Sequence, residues 1–132
     1  MIMDAKELMI DDWVSVKHTH KEPTFERVRG VGTDVVLVLK ESGVDAIDVS
    51  LVGSIPLTKE MLEKNGFEFF DSSYFNDIVS ITFLPSCIYF ICHVYKGEVC
   101  DVIERHINYV HELQHFLRLC GLTEMADNFK IE

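Results

Sequence analysis

The sequence predicts an α+β fold, on three observations. Short β-branched and apolar runs separated by turn residues fill the first 55 residues, a capped helical segment follows, and two apolar runs precede a long amphipathic segment. Apolar residues make up 48% of the chain and charged residues 26%, a balance typical of a folded domain. We therefore expect an N-terminal small SH3-like β-barrel or bent sheet, a short helix, and an antiparallel β-meander packed by a C-terminal helix.

These elements divide into two lobes, residues 1–55 and residues 56–132, with a boundary near Ser54 to Thr58. We expect the lobes to form one compact unit, because a chain of 132 residues hides roughly two thirds of its unfolded surface. Such a chain needs neither a disulfide nor a metal ion to fold.

Strands dominate the first lobe. Four are predicted, at Trp13 to Val16, Phe25 to Val31, Val35 to Leu39 and Ala46 to Val52. The run Val35 to Leu39 is apolar throughout, which is typical of a strand buried on both faces. Turns are expected at Asp11-Asp12, at the Gly30/Gly32 pair and at Glu41-Ser42-Gly43.

A short helix opens the second lobe, from about Lys59 to Asn65. Thr58 is a good N-cap because its hydroxyl can accept an amide hydrogen of the first turn. Leu57 and Leu62 are spaced for a hydrophobic staple, and Gly66 lies where a left-handed residue ends a helix.

The rest of the second lobe is predicted as a meander followed by a helix. The expected elements are strands at Ile78 to Leu84 and Cys87 to Tyr95 around a Pro85-Ser86 hairpin, a strand at Val99 to Ile103, and a helix from about His106 to Cys120. One face of this helix is apolar, formed by Tyr109, Val110, Leu113, Phe116, Leu117 and Cys120.

The acidic charge balance restricts the possible partners. The net charge is −10, and neither lobe has a basic excess, so nucleic-acid and anionic membrane binding are disfavoured. The N-terminus has no signal-peptide pattern and no apolar run reaches the length of a membrane helix, which predicts a cytoplasmic protein. In that reducing compartment the four cysteines are expected to be free thiols.

The motif with the clearest chemistry is His111-Glu112-Leu113-Gln114-His115, which matches H-E-x-x-H on a predicted helix. Two histidines at i and i+4 can bind one zinc ion, and the adjacent glutamate can act as general base on the zinc-bound water. His111 and His115 would then be metal ligands and Glu112 the catalytic base.

Two features oppose a zinc site. A catalytic zinc usually has three protein ligands, and no extended H-E-x-x-H-x-x-G-x-x-H pattern follows; the downstream Glu124 comes past the expected helix end. On a helical projection, His111 and His115 point away from the apolar face, which predicts two solvent-exposed histidines on a surface helix.

Other candidate residues favour structural roles. The four cysteines, Cys87, Cys92, Cys100 and Cys120, contain no C-x-x-C pair and fit buried positions. His18 and His20 are expected in a solvated loop, and His93 in a strand. The acidic residues Asp11, Asp12, Asp45 and Asp48 offer pairs of carboxylates, but nothing in the sequence assigns them to a cleft.

Three stretches resemble a family of uncharacterised small proteins encoded by gut bacteria and their phages or mobile elements. They are Ala5 to Val14 (A-K-E-L-x-I-x-x-W-V), Ile55 to Phe67 (I-P-L-T-x-E-x-L-x-x-x-G-F) and Tyr109 to Gln114 (Y-V-H-E-L-Q). This family has no assigned activity, so the resemblance implies a kind of protein and not a reaction. His115 stands where the family pattern has Asn, so one substitution completes H-E-x-x-H.

The sequence favours a non-enzymatic protein-binding or accessory module of phage or mobile-element type. It shows no complete catalytic set, no basic patch and no cofactor motif. The alternative is a zinc-dependent hydrolase using His111, Glu112 and His115, with zinc as its cofactor. Nucleic-acid binding through the SH3-like lobe is a third reading, opposed by the charge. The protein partner and the oligomeric state stay open.

Overall fold

The computed structural model describes residues 8–40, 42–71, 73–76, 78–84, 89–94 and 105–132, with the backbone alone at 84, 89–94 and 105–106. Across these residues the fold is α+β, with two five-stranded antiparallel sheets and three short helices. The chain divides into two units, Met1–Ile55 with Tyr109–His111, and Pro56–Asn108 with Glu112–Glu132. No helix in the described ranges is both long and apolar enough to span a membrane.

The first unit contains one sheet. Its strands are β1 (Trp13–Val16), β2 (Thr24–Val31), β3 (Val35–Lys40), β4 (Gly43–Asp48) and β5 (Val52–Gly53). Their order is β4-β3-β2-β1-β5, with every neighbouring pair antiparallel. Within the described residues, no pairing joins β4 to β5, so these two strands are the open edges of the sheet.

The strand predicted at Ala46 to Val52 is wrong in its extent. A single 3₁₀ turn, Val49–Leu51, separates β4 from β5. Asp48 causes this break, because its Oδ1 accepts a hydrogen bond from the Ser50 amide at 2.9 Å and caps the turn. The alternating apolar pattern of the sequence therefore extends past Asp48, although β4 ends there.

The inner face of the sheet forms the core of the first unit. It is lined by buried aliphatic residues: Leu8, Val14, Val16, Val28, Val36, Val38 and Val52. Burial alternates along β3, since Val36 and Val38 are buried while Val35, Leu37 and Leu39 are exposed. The prediction that this strand is buried on both faces is therefore wrong: only one face is covered.

Two turns position the central strands. The predicted Asp11-Asp12 turn is present: Asp11 has a left-handed φ of 72°, and the buried Asp12 accepts a hydrogen bond from the Met9 amide at 2.8 Å. The turn expected at Gly30 lies further along the chain. Gly30 is inside β2 at a shift in register, and the Gly32 amide donates to the Val35 carbonyl at 2.8 Å.

The second unit contains the other sheet and the helices. Its elements are α1 (Lys59–Lys64), β6 (Glu68–Phe70), β7 (Ser73–Phe75), β8 (Val79–Leu84), β9 (Tyr89–Val94), β10 (Arg105–Ile107), α2 (Val110–Leu119) and α3 (Thr123–Asp127). The strand order is β10-β9-β8-β7-β6. Buried residues of this unit include Leu62, Phe67, Ile81, Leu113, Leu117, Phe129 and Ile131.

The limits of α1 follow the predicted local signals. Thr58 Oγ1 accepts a hydrogen bond from the Met61 amide at 3.2 Å, which confirms the N-cap. Gly66 has a φ of +82°, and the Phe67 amide reaches back to the Leu62 carbonyl at 3.1 Å. Leu57, Leu62 and Phe67 are all buried.

The strands predicted at Ile78 to Leu84 and Cys87 to Tyr95 are confirmed by β8 and β9, which pair antiparallel, whereas other elements differ. The C-terminal helix begins at Val110, and the residues before it, Arg105–Ile107, form the strand β10. The predicted Pro85-Ser86 hairpin and the strand at Val99 to Ile103 lie outside the described residues. The β6–β7 pair and α3 were not predicted.

Asn65 holds the C-terminal tail in the second unit. Its side-chain amide donates to the Lys130 carbonyl and accepts from the Lys130 amide, both at 2.7 Å, and it also donates to the Met61 carbonyl at 2.7 Å. These bonds fix the segment that carries the buried Phe129 and Ile131.

We expect Asn65→Ala to lower the free energy of unfolding by about 2 kcal/mol, because three hydrogen bonds are lost and the tail is released. Urea unfolding of the full chain measures the change. Asn128→Ala, at an exposed asparagine of the same tail, is the control and is expected to change the unfolding free energy little. Equal unfolding midpoints for the two variants would contradict the role given to Asn65.

Candidate functional site

The H-E-x-x-H residues lie on α2, as the sequence predicts. His111 and Glu112 are in its first turn and His115 is one turn later. Spacing alone therefore permits the two histidines to approach one ion, as i and i+4 residues of a helix do. Burial and hydrogen bonding must decide what these side chains do.

His111 is buried, with 4% of its surface exposed. Its imidazole ring stacks on Tyr109, with ring centroids 6.0 Å apart and an angle of 10° between the planes. The prediction of a solvent-exposed His111 is wrong, because burial on α2 extends beyond the apolar positions to His111 and Gln114. His115 is half-buried.

Glu112 has a structural role at the start of α2. Its Oε1 accepts a hydrogen bond from the Asn108 amide at 3.0 Å, and Asn108 lies two residues before α2 begins. A carboxylate in the first turn that accepts an amide hydrogen there satisfies a backbone donor, and its charge also favours the N-terminal end of the helix dipole. The carboxylate is thus oriented toward the backbone that enters the helix.

The described residues offer no complete metal site. Within them, no three His, Cys, Asp or Glu side chains are grouped closely enough to hold one ion. A catalytic zinc ordinarily takes three protein ligands and leaves one position for water. The described part of α2 therefore supplies a pair of histidines and a capping glutamate, with no third ligand beside them.

We expect His111→Ala to lower the free energy of unfolding by about 1–3 kcal/mol, because a buried, stacked ring is removed. His115→Ala, at a half-buried position, should cost less. Urea unfolding with and without a chelator, together with the zinc content of tag-free protein, separates packing from metal binding. One zinc per chain, lost in both variants, would contradict the structural role and favour a metal site.

The acidic candidates have separate partners. Asp11 forms an ion pair with Arg29 at 3.2 Å, and Asp45 forms one with Lys40 at 3.1 Å. Asp12 stabilises the turn before β1, and Asp48 caps the 3₁₀ turn. None of these contacts joins two carboxylates.

The other histidine and cysteine candidates do not form a common site in the described ranges. His18 Nε2 lies 2.7 Å from Thr24 Oγ1, while His20 is exposed. Cys120 is buried just after α2. Cys87 and Cys100 lie outside the described residues, and neither the His93 nor the Cys92 side chain is described.

Two open clefts lie in the second unit. One, of about 450 Å³, is bounded by Ile78, Gly121, Leu122, Glu124, Met125 and Asn128. The other, of about 300 Å³, is bounded by Phe70, Asp71, Ser73, Phe75, Asn76 and Ser80. Neither set of lining residues includes His111, Glu112 or His115, so these clefts do not place a substrate beside the motif.

The first sheet presents an apolar surface that the sequence analysis missed. We define the outer face as the side of this sheet opposite its core, and its exposed apolar residues are Phe25, Val35, Leu37, Leu39 and Val44. The register makes them neighbours, since Leu39 lies opposite Val44 and Leu37 lies opposite Ala46. Leu37 keeps 39% of its surface exposed and Val44 keeps 58%.

The outer face continues across β2 and β1. Gly30 lies opposite Leu37, and a Cβ added at Gly30 would come within 3.0 Å of the Leu37 side chain. The glycine therefore leaves room for Leu37 to lie across the strand. Further along, the Arg27 guanidinium lies 4.8 Å from the centre of the Trp13 ring, a cation–π distance.

The structure thus offers two candidate sites, the H-E-x-x-H helix and the outer face of the first sheet. The continuous apolar run at Val35 to Leu39 is the sequence signal for the second site, because its alternate residues remain exposed on one face of β3. Comparisons of the chain with family models, with curated proteins and with solved structures found no match.

Proposed function

We propose that this chain is a non-enzymatic protein-binding module that holds its partner against the outer face of the first sheet. The observation that carries the proposal is the exposure of alternate apolar residues along β3, namely Val35, Leu37 and Leu39. Single exposed apolar residues are ordinary on protein surfaces. A contiguous group on one sheet face is typical of an interaction surface.

The neighbours of β3 make the group contiguous. Val44 and Ala46 flank it on β4 and both are exposed, while Phe25 extends it on β2. A partner covering these side chains would remove apolar surface from water on two or three adjacent strands at once. Burial of that surface is the main favourable term in most protein–protein association.

Aromatic and arginine side chains at the other end of the face also support the proposal. Trp13 and Arg27 stack on one another beside Phe25. Trp and Arg are enriched among the residues that contribute most to binding energy at interfaces. The stacking pre-orders both side chains, which lowers the conformational entropy that they would lose on binding.

The first unit of the proposed module is a partly open SH3-like barrel, with β4 and β5 at its edges. Four antiparallel strands, a 3₁₀ turn and a short fifth strand that pairs with the first support this assignment. The resemblance of three motifs to small proteins of gut bacteria and their phages or mobile elements supports an accessory role. The net charge of −10 makes a protein partner a better fit than a nucleic acid.

The hydrolase alternative has weaker support. It needs Glu112 as a base beside bound water, whereas Glu112 Oε1 bonds the Asn108 amide. It also needs His111 accessible to metal, and His111 is buried.

Site-specific photo-crosslinking tests the proposal. A benzophenone amino acid replaces Leu37 in the full chain, expressed in the organism that encodes it, and crosslinked proteins are identified by mass spectrometry. Leu119, another exposed leucine, is the matched control position. We expect a discrete adduct from position 37 that is absent from position 119. No adduct from either position, or the same adducts from both, would overturn the proposal.

A further inference from the structure

The outward edge of β4 has free backbone hydrogen-bonding groups in the described structure. The Val49 amide donates to the Asp34 carbonyl at 2.9 Å, which identifies that pair as hydrogen-bonded. Such pairs alternate in an antiparallel ladder, so Ile47, Asp45 and Gly43 bond to β3. The N–H and C=O groups of Val44 and Ala46 therefore point away from the sheet, and so does the N–H of Asp48, whose C=O belongs to the 3₁₀ turn.

The same three residues place their side chains on the outer face. Val44 lies opposite Leu39, Ala46 opposite Leu37 and Asp48 opposite Val35. Directly opposed residues of an antiparallel pair project to the same face. An added strand whose backbone bonds to these residues would extend the apolar outer face by one strand, with its own side chains beside Val44 and Ala46.

Charge at this edge is acidic. Asp45 and Asp48 lie on β4, and the exposed Asp34 precedes β3. Hydrogen bonds from Ser50 lower the pKa of Asp48, so that carboxylate stays ionised at neutral pH. Lys40 contacts Asp45 at 3.1 Å. A basic side chain of a neighbouring strand would lie near Asp45 where it projects to the inner face, and near Asp48 where it projects to the outer face.

We propose that β4 takes an added antiparallel β-strand from a partner protein, an extended segment in which apolar residues alternate with Lys or Arg. This inference rests on the proposed function and names the chemistry of the partner. Apolar side chains of the segment would lie beside Val44 and Ala46 on the outer face, and the alternating basic ones beside Asp45 on the inner face. A second copy of this chain fits less well, since each chain carries −10 and the same acidic edge.

A synthetic peptide tests strand addition on the full wild-type chain. The probe is a fluorescent peptide in which Val alternates with Lys over six residues, the length of β4. In the proposed register the valine amides face β4 and the lysine amides face away. N-methylation of the valine amides should weaken binding by roughly tenfold or more, whereas N-methylation of the lysine amides should leave it nearly unchanged. Replacing Lys by Glu should also abolish binding.

Ala46→Pro locates the binding edge, since it removes an outward amide hydrogen and proline is tolerated in edge strands. We expect this substitution to raise the dissociation constant of the Val–Lys peptide about tenfold. Strand addition would be overturned if the Val–Lys peptide did not bind. It would also be overturned if N-methylation at valine and N-methylation at lysine lowered the affinity equally. A dimer of the chain that Ala46→Pro dissociates would also overturn it, in favour of a second copy. In each case a specific crosslink from position 37 would leave the proposed function standing.

Discussion

Aspartate in place of Leu37 is expected to abolish partner binding while leaving the fold intact. Leu37 projects from the outer face, and the core residues on either side of it, Val36 and Val38, are unchanged. A carboxylate at the centre of the interface must lose its water without gaining a partner, which costs about 2–3 kcal/mol or more. The dissociation constant for the crosslinked partner should therefore rise roughly a hundredfold.

Leu119→Asp is the matched control for this prediction. It introduces the same charge at an exposed leucine of α2, with 64% of the residue's surface exposed. We expect unchanged binding from Leu119→Asp, and thermal unfolding midpoints near that of the wild type for both variants. Leu37→Asp protein that is folded and binds with wild-type affinity would rule out the outer face as the interface.

Gln114→Glu should cause the largest loss of stability among the changes proposed for the second unit. Gln114 is fully buried, and its Nε2 donates to the Ala126 carbonyl at 3.1 Å. Glutamate has nearly the same shape, but it sets a carboxylate oxygen against that carbonyl. Burying this charge against a carbonyl oxygen should lower the free energy of unfolding at pH 7 by about 3–5 kcal/mol.

The pH dependence of the unfolding free energy of Gln114→Glu distinguishes the effect of the new charge from the effect of a changed side-chain shape. Burial raises the pKa of the new carboxyl in the folded state above its unfolded value of about 4.3. The destabilisation relative to wild type should therefore be small below pH ~4 and grow as the pH rises through the folded-state pKa. Gln114→Leu removes the hydrogen bond without adding charge, so its cost of about 1–3 kcal/mol should not depend on pH. Equal pH profiles for the two variants would contradict this explanation.

Local signals allowed α1 to be predicted to within one residue. Its cap at Thr58, its glycine at Gly66 and its buried Leu62 all lie within one short segment. The sequence predicts the start of α2 at about His106, whereas the helix begins at Val110. Apolar residues with helical spacing also occur before Val110. Their spacing alone does not show at which residue the backbone hydrogen bonds of the helix begin.

Burial could not be predicted where it depends on distant parts of the chain. The apolar run of β3 indicated burial on two faces, but only one face has a covering layer. His111 was expected in solvent because a helical projection records only the residues of the helix itself. Asn65 and Lys130 are 65 residues apart in the sequence, so no local sequence pattern predicts the hydrogen bonds between them.

Amide hydrogen exchange of the full chain, with and without the crosslinked partner, tests the outer-face interface most directly. We predict slower exchange on binding for the outward amides of Val44, Ala46 and Asp48 and for neighbouring residues of β3. Exchange in α2 around His111 and Glu112 should stay unchanged. Protection confined to α2, with β3 and β4 unaffected, would contradict the proposed interface and return attention to the H-E-x-x-H helix.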